Sequence, residues 1–332
     1  MTRHVILAYG KETELWRATF AILSFYAWYE GDLADVQTIV FTDRPLFFAP
    51  YFEGLPVRFS RLTLVRQERM RGPQQYVHRV KVAIVEQVFQ EHPNDNLLFC
   101  DSDTFFISKA DSLLQRLQAD VSFMHVREFT LADAVGIYAS FKPANQDEQP
   151  RKFIKLIESH SFVIDSQEQH FRKTQYIWNS GVLGMHQSIG NLMPDILALS
   201  DAFYKSSGWI TAEQIAFSLV LPIKTQVQPS NQYVLHYWGQ QQKKFMDGLL
   251  GDLDNQLRKL PLSKRLATAK GLTIKWAHMI RLHIAREGAL YSLAKGQMKA
   301  GVKCAAKVLI TSPFDKIFTK DLVSAFRRGI TD

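Results

Sequence analysis

Two carboxylates two residues apart, Asp101 and Asp103, form the sequence feature with the clearest chemical potential. When such a pair leaves a strand in extended geometry, both side chains project to one side and can approach one hard divalent cation, Mn2+ or Mg2+, whose oxygen shell a diphosphate would complete. Apolar sequence presses on both sides of the pair, Leu97-Leu98-Phe99-Cys100 before it and Thr104-Phe105-Phe106 after it, as a solvated turn seldom would. Further along, His236-Tyr237-Trp238-Gly239 offers a neutral imidazole as a third ligand and a glycine that admits a phosphate, and Lys243 and Lys244 follow as cations for a departing diphosphate. Trp178-Asn179-Ser180-Gly181-Val182-Leu183-Gly184 sets a small polar turn between apolar flanks, where Gly181 permits close backbone approach and Asn179 can orient hydroxyls. Thr211, a candidate N-cap, precedes Glu213 and Gln214 at the start of a helical pattern. Taken singly, the last three segments also read as packing, a glycine turn and a helix-start acid.

The elements that must position these groups alternate in type. His4 to Tyr9 reads as a strand, and Glu14 to Tyr29 carries Leu15, Ala18, Ile22, Phe25 and Ala27 on a helical stripe. Gln37 to Phe41 reads as a second strand. From Gln74 to Gln90, Val77, Val80, Ile84 and Val88 recur at helical spacing, and His92-Pro93-Asn94-Asp95 stops the pattern. Asn96 to Cys100 is then a short buried strand with Asp101 at its carboxyl end, where open α/β sheets bind ligands. The polar stretch from His125 to Tyr176 reads as an inserted lid or acceptor region more than as core.

The chain has 332 residues and 46% hydrophobic content, enough for one large core with a smaller appendage. Its net charge of +8 is unevenly spread: residues 251 to 332 carry 16 Lys and Arg against 6 Asp and Glu, while the first 250 residues are slightly acidic. A catalytic region over 1–250 and a basic, mainly helical extension over 251–332 are therefore expected. Between Leu290 and Leu309, Lys295, Lys299, Lys303 and Lys307 fall on one arc of a helix, and Leu290, Leu293, Ala300, Cys304 and Val308 fall opposite. Such a helix either lies on an anionic membrane surface or packs on the catalytic region with its lysines in water. Aromatic residues are not interleaved with these charges, so nucleic acid is not an expected partner. Cys100 and Cys304 lack CxxC spacing, no apolar run approaches the roughly 20 residues of a spanning helix, and the first residues lack a secretory signal pattern; the expectation is a cytoplasmic protein.

In order along the chain, these segments resemble nucleotide-sugar glycosyltransferases of the GT-A type, and most closely the retaining enzymes of glycosyltransferase family 8. The resemblance covers about residues 4 to 245. It implies a Rossmann-like mixed α/β sheet flanked by helices, with Asp101, Asp103 and His236 as metal ligands. It further implies donor contacts from Ala8, Tyr9, Arg79, Lys81, Ser102, Asn179, Ser180, Gly181, Gly239 and Lys243, and catalytic roles for Glu213 and Gln214. A nucleotide-sugar donor, UDP-sugar by preference, and a glycan or lipid-linked acceptor follow as partners. Glu213 stands where the family has Asp, and Lys243 comes one residue later than the family's lysine. Asp101-Ser102-Asp103-Thr104 also matches the DxDxT motif of haloacid-dehalogenase-like phosphatases, in which the first Asp would be a nucleophile. That motif normally opens the chain, however, and no Asp-Asp pair follows here. A nucleotide-sugar-binding protein with a degenerate site is the third possibility.

Overall fold

The computed structural model describes residues 1–139, 147–251, 253, 257–313 and 315–331. Its first half repeats strand and helix: β1 (Thr2–Leu7), α1 (Glu12–Trp28), β2 (Val36–Thr42), α2 (Pro45–Phe52), β3 (Val57–Arg61), α3 (Leu64–Arg71), α4 (Arg79–Glu91) and β4 (Asn96–Asp101). Then follow β5 (Thr104–Phe106), α5 (Ala110–Leu114), β6 (Val121–Met124), β7 (Arg127–Thr130), α6 (Leu131–Ala139), α7 (Glu148–Ser159), β8 (Phe162–Ile164), β9 (Gln167–Gln169), β10 (Tyr176–Trp178) and β11 (Val182–Met185). The chain continues through α8 (Met193–Ser207), α9 (Ala212–Lys224), β12 (Gln226–Pro229), β13 (Val234–His236) and α10 (Gln240–Gly251). It ends in α11 (Leu262–Ala294), α12 (Met298–Thr311) and α13 (Lys316–Thr331).

Seven strands form one mixed sheet in the order β12-β6-β11-β4-β1-β2-β3. β4, β1, β2 and β3 run parallel, β11 is antiparallel to both β4 and β6, and β12 is parallel to β6. The expected mixed sheet flanked by helices is borne out. A central strand buries both faces, and β4 illustrates the two-residue period: Leu97 and Phe99 face a core with α4, α8 and α9, while Leu98 and Cys100 face another with α1, α10 and the first half of α11. Burying both faces of β4 holds its carboxyl end, and so Asp101, at the middle of the molecule.

Several sequence expectations need correction. The helix expected from Gln74 begins at Arg79, because the chain turns through Gly72 and Gln75, both with positive φ. Thr211 occupies the N-cap position of α9 without a side-chain capping bond. The segment from His125 to Tyr176 contributes Leu131, Ala134, Phe153, Ile157, Ile164 and Phe171 to the main core, so it is more than a polar insertion; its residues 140–146 lie outside the described set. The single helix expected over 290–309 is broken at Lys295-Gly296-Gln297, where Gly296 adopts φ 70°, and Ala300 is exposed. The four lysines of that stretch do face water.

The basic extension has two anchorages. Ala269, Trp276, Ala277 and Ile280 of α11 join the sheet's core beside Phe20 of α1, and Trp28 Nε1 donates to Thr273 Oγ1 at 2.9 Å. The later half of α11 instead packs with α12 and α13 around a small cluster of Ala289, Ala305, Val308 and Phe318.

Candidate metal and donor site

The site begins where β4 ends. Asp101 N donates to Gly181 O at 2.8 Å, tying the end of β4 to the turn before β11. The chain turns through Ser102 and Asp103 into β5, which pairs antiparallel with β13 in a small ribbon outside the main sheet, with His236 opposite Thr104. Tyr237 N donates to Asp103 O at 3.0 Å. This ribbon brings His236 across more than a hundred residues of sequence to the acidic turn.

Asp101, Asp103 and His236 each present one ligand atom within 4.8 Å of the others, the one such trio among the described residues. His236 Nε2 lies 3.2 Å from Asp103 Oδ1 and 4.0 Å from Asp101 Oδ2. Asn179 decides which imidazole nitrogen is free for a metal. Its Oδ1 accepts from Gly181 N at 3.0 Å and lies 2.8 Å from His236 Nδ1, so Nδ1 carries a hydrogen and Nε2 is the nitrogen that faces the carboxylates and would meet a metal. Gly181 is required here on steric grounds: a Cβ at that position would overlap the His236 ring. The trio therefore fits a divalent cation in donor type, spacing and support.

Two lysines complete the charge pattern. Lys81 Nζ on α4 lies 3.1 Å from Asp101 Oδ2 and 3.4 Å from Glu213 Oε1, and it donates to Ser180 Oγ at 3.2 Å. Lys243 Nζ on α10 lies 2.6 Å from Asp103 Oδ2. Burial opposes the charged form of both lysines, yet the neighbouring carboxylates more than offset it and raise both pKa values. Burial likewise opposes ionised Asp103, but His236 and Lys243 hold it well below the usual carboxylate range. α10 is itself fastened to α1, because Arg17 grips Asp247 through bonds of 2.7 and 2.6 Å and also pairs with Glu14, whose other oxygen accepts from Ser102 Oγ at 2.6 Å.

Glu213, buried at the start of α9, spends its carboxylate on protein partners: Ser180 Oγ at 3.0 Å, Lys81, and the Tyr76 hydroxyl at 3.3 Å. Burial raises its pKa, but Lys81 and His78 prevail and lower it. Gln214 Oε1 accepts from Ser180 N at 3.3 Å.

A cleft of about 380 Å3 is lined by Lys81, Asp101, Ser102, Asp103, Asn179, Ser180, Gly181, Glu213, Gln214, His236 and Lys243, all singled out in the sequence. Arg79, Ala8, Tyr9 and Gly239 do not line it. Arg79 is committed to Asp201 at 2.7 Å and Met70 O at 2.7 Å, Ala8 is buried in one core, and Tyr9 packs against the other. Sequence reasoning missed Glu14, His78 and Trp238, which line the same cleft, and Glu128, which bonds Asn179 and Gln214 from behind. Glu14 carried a signal that could have found it, an acid in the first helical turn after β1. Glu128 carried none.

No protein-family model matches the sequence, and no curated protein matches it. Solved structures do resemble the fold. Mouse xyloside xylosyltransferase 1 is similar at 11% identity over 69% of this chain and 85% of that one, with a TM-score of 0.43. The bifunctional glycosyltransferase WbbM is similar at 13% identity over 69% of this chain but 38% of that one, TM-score 0.43. The galactosyltransferase LgtC, solved with donor and acceptor sugar analogues, is similar at 14% identity over 78% of this chain and 97% of that one, TM-score 0.48. Likeness this distant carries no argument about activity, which rests on the residues of the cleft.

Proposed function

We propose that the protein is a metal-dependent glycosyltransferase of the GT-A type, moving a sugar from a nucleotide-diphosphate sugar, UDP-sugar by preference, to a hydroxyl of a glycan or lipid-linked acceptor. The observation that carries this reading is the Asp101, Asp103 and His236 trio flanked by Lys81 and Lys243 in one cleft. The carboxylates suit Mn2+ or Mg2+, and cations beside them suit a diphosphate. A bound divalent ion would supply Lewis-acid stabilisation of the negative charge on the departing diphosphate. The chain's own residues do the rest: Lys243 and Lys81 place two positive charges at the same end, and Asn179 holds the His236 tautomer. Glu213, already engaged by Lys81 and Ser180, holds the turn that lines the donor cleft. Gln214, whose carbonyl end lies at Ser180, is the side chain assigned to the sugar's face, in keeping with a retaining enzyme.

The phosphatase alternative requires Asp103 as a mobile acid or base. Its two oxygens are instead taken by His236 and Lys243, and its pKa is held low, so it is a poor proton donor. Thermal unfolding with Mn2+ against a panel of nucleotide sugars identifies the donor, because the ligand that binds the native state raises the midpoint. Chelator and Asp103→Asn should each abolish transfer with the fold intact. Full transfer in chelator refutes the metal assignment, and turnover of a phosphate ester through an aspartyl-phosphate at Asp101 would establish the phosphatase.

We also propose that the 251–332 extension touches an anionic membrane surface. Supporting this, Ile310 is 83% and Ile317 77% exposed, each three residues from a lysine, Lys307 and Lys320, on its helix. No helix among the described residues is long and apolar enough to cross a membrane.

A further inference from the structure

Glu128 on β7 belongs to no motif, yet both of its oxygens face the site. Oε1 accepts from Asn179 Nδ2 at 3.2 Å and Oε2 accepts from Gln214 Nε2 at 3.0 Å. A primary amide has two ends of nearly equal size, so its partners decide which way it points. A carboxylate can only accept, and Glu128 therefore draws the NH2 ends of both amides toward itself. Their carbonyl ends must then point away: Asn179 Oδ1 to His236 Nδ1 and Gly181 N, and Gln214 Oε1 to Ser180 N. The consequence reaches the ligand trio, because anchoring Nδ1 fixes Nε2 as the nitrogen that faces Asp101 and Asp103.

We propose that Glu128 is a positioning residue that sets the orientation of both Asn179 and Gln214, and through Asn179 the metal-facing nitrogen of His236. This rests on the glycosyltransferase reading for its purpose, but the hydrogen-bond polarity at its centre is a property of the protein alone. Burial raises the Glu128 pKa, while the bonds from Asn179 and Gln214 oppose that rise and favour the carboxylate.

Glutamine has the shape of glutamate but accepts through one end only. In Glu128→Gln one amide must turn. Asn179's carbonyl is held by two donors and Gln214's by one at 3.3 Å, so Gln214 turns. In Asn179→Asp two carboxylates face each other across the 3.2 Å contact. In the double variant Glu128→Gln/Asn179→Asp every bond returns with one reversed: the new glutamine donates to the new aspartate, still accepts from Gln214, and the aspartate's other oxygen still accepts from His236. Total charge is unchanged.

The test is this double-mutant cycle at pH 8, read three ways. Thermal unfolding without metal or donor should fall by several degrees in each single variant, about 3 °C or more, and return to within about 1–2 °C of the wild type in the double. Nitrogen NMR of His236 should show Nδ1 carrying its hydrogen in wild type and double. Donor hydrolysis with Mn2+ should drop about tenfold or more in Glu128→Gln, with Mn2+ affinity changed less than about threefold, and recover in the double. Losses that add in the double, or a Glu128→Gln variant that behaves as wild type in all three, overturn the proposal. If Mn2+ does not bind the wild type while the unfolding and tautomer cycle holds, the metal reading fails and the positioning role stands.

Discussion

A methyl group at position 181 tests the site most directly. Gly181 has no need of an unusual φ; it is glycine because the His236 ring occupies the space a Cβ would fill. The ring cannot simply yield, since it is 6% exposed, bonded to Asn179 at 2.8 Å and flanked by His125 and Trp238 with ring centroids at 5.3 and 5.2 Å. Gly181→Ala should therefore turn the imidazole off Asn179 and carry Nε2 away from Asp101 and Asp103. Loss of an orienting partner weakens a metal site by about 10–100-fold, or roughly 1.4–2.7 kcal/mol. The assay is thermal or urea unfolding with Mn2+ at a hundred times the wild-type dissociation constant. Wild type should gain about 2.7 kcal/mol, a variant weakened tenfold about 1.4, and one weakened a hundredfold about 0.4. Gly136→Ala on α6, where a Cβ meets nothing within 4 Å, is the control for adding a methyl group. An equal Mn2+ gain in Gly181→Ala and wild type would refute the assignment of His236 as a ligand.

Two further outcomes are expected. His4 is fully buried on β1, stacked on Phe25 at 4.2 Å, and burial lowers its pKa from 6.5 to about 3. Its contribution to stability is complete above 6.5 and is lost as pH falls toward 3, about 2 kcal/mol by pH 5. Urea unfolding at pH 7.5 and pH 5 should show that loss, and His4→Phe should lack its share of it; the same pH dependence in both proteins would rule the histidine out. For the membrane contact, reversing Lys303, Lys307, Lys316 and Lys320 to Glu should abolish flotation with anionic vesicles and spare Mn2+ binding, while equal recovery of both forms would remove the idea. The charge reversal leaves intact the packing of Trp276 and Ile280 in the core beside α1, which a deletion of 251–332 would remove.

The parts of the site that were legible in the sequence are those whose neighbours in sequence are also neighbours in space. Asp101 and Asp103 follow a strand whose apolar run is unmistakable, and Asn179 to Gly181 form one turn. Strand and helix periodicity exposed β1, α1, β2 and β4 to within a few residues. Where local pattern and tertiary contact disagree, sequence and structure part. Arg79 sits two residues before Lys81, but on a helix that spacing points the two side chains in different directions, so Lys81 reaches Asp101 while Arg79 meets Asp201. The helix expected across Lys295 broke because Gly296 permits a left-handed turn there. Glu128 was invisible because its meaning comes entirely from Asn179 and Gln214, 51 and 86 residues away.

The same geometry is why the proposal prefers one of the two chemistries that a three-residue acidic motif can carry in sequence. A nucleophilic aspartate needs an oxygen free to attack and a nearby acid free to give up a proton. Here Asp103, the acid such a mechanism needs, is bound on both oxygens, so the second condition is not met in the arranged site. A ligand role needs the reverse: carboxylates kept ionised, fixed in direction and aimed at a common point. Lys243 takes Oδ2 of Asp103 and leaves Oδ1 toward His236 Nε2, which is how a monodentate ligand is held. The β5 and β13 ribbon, packed into the core through Phe105, Phe106, Val234 and Leu235, is the element that brings His236 to the acidic motif.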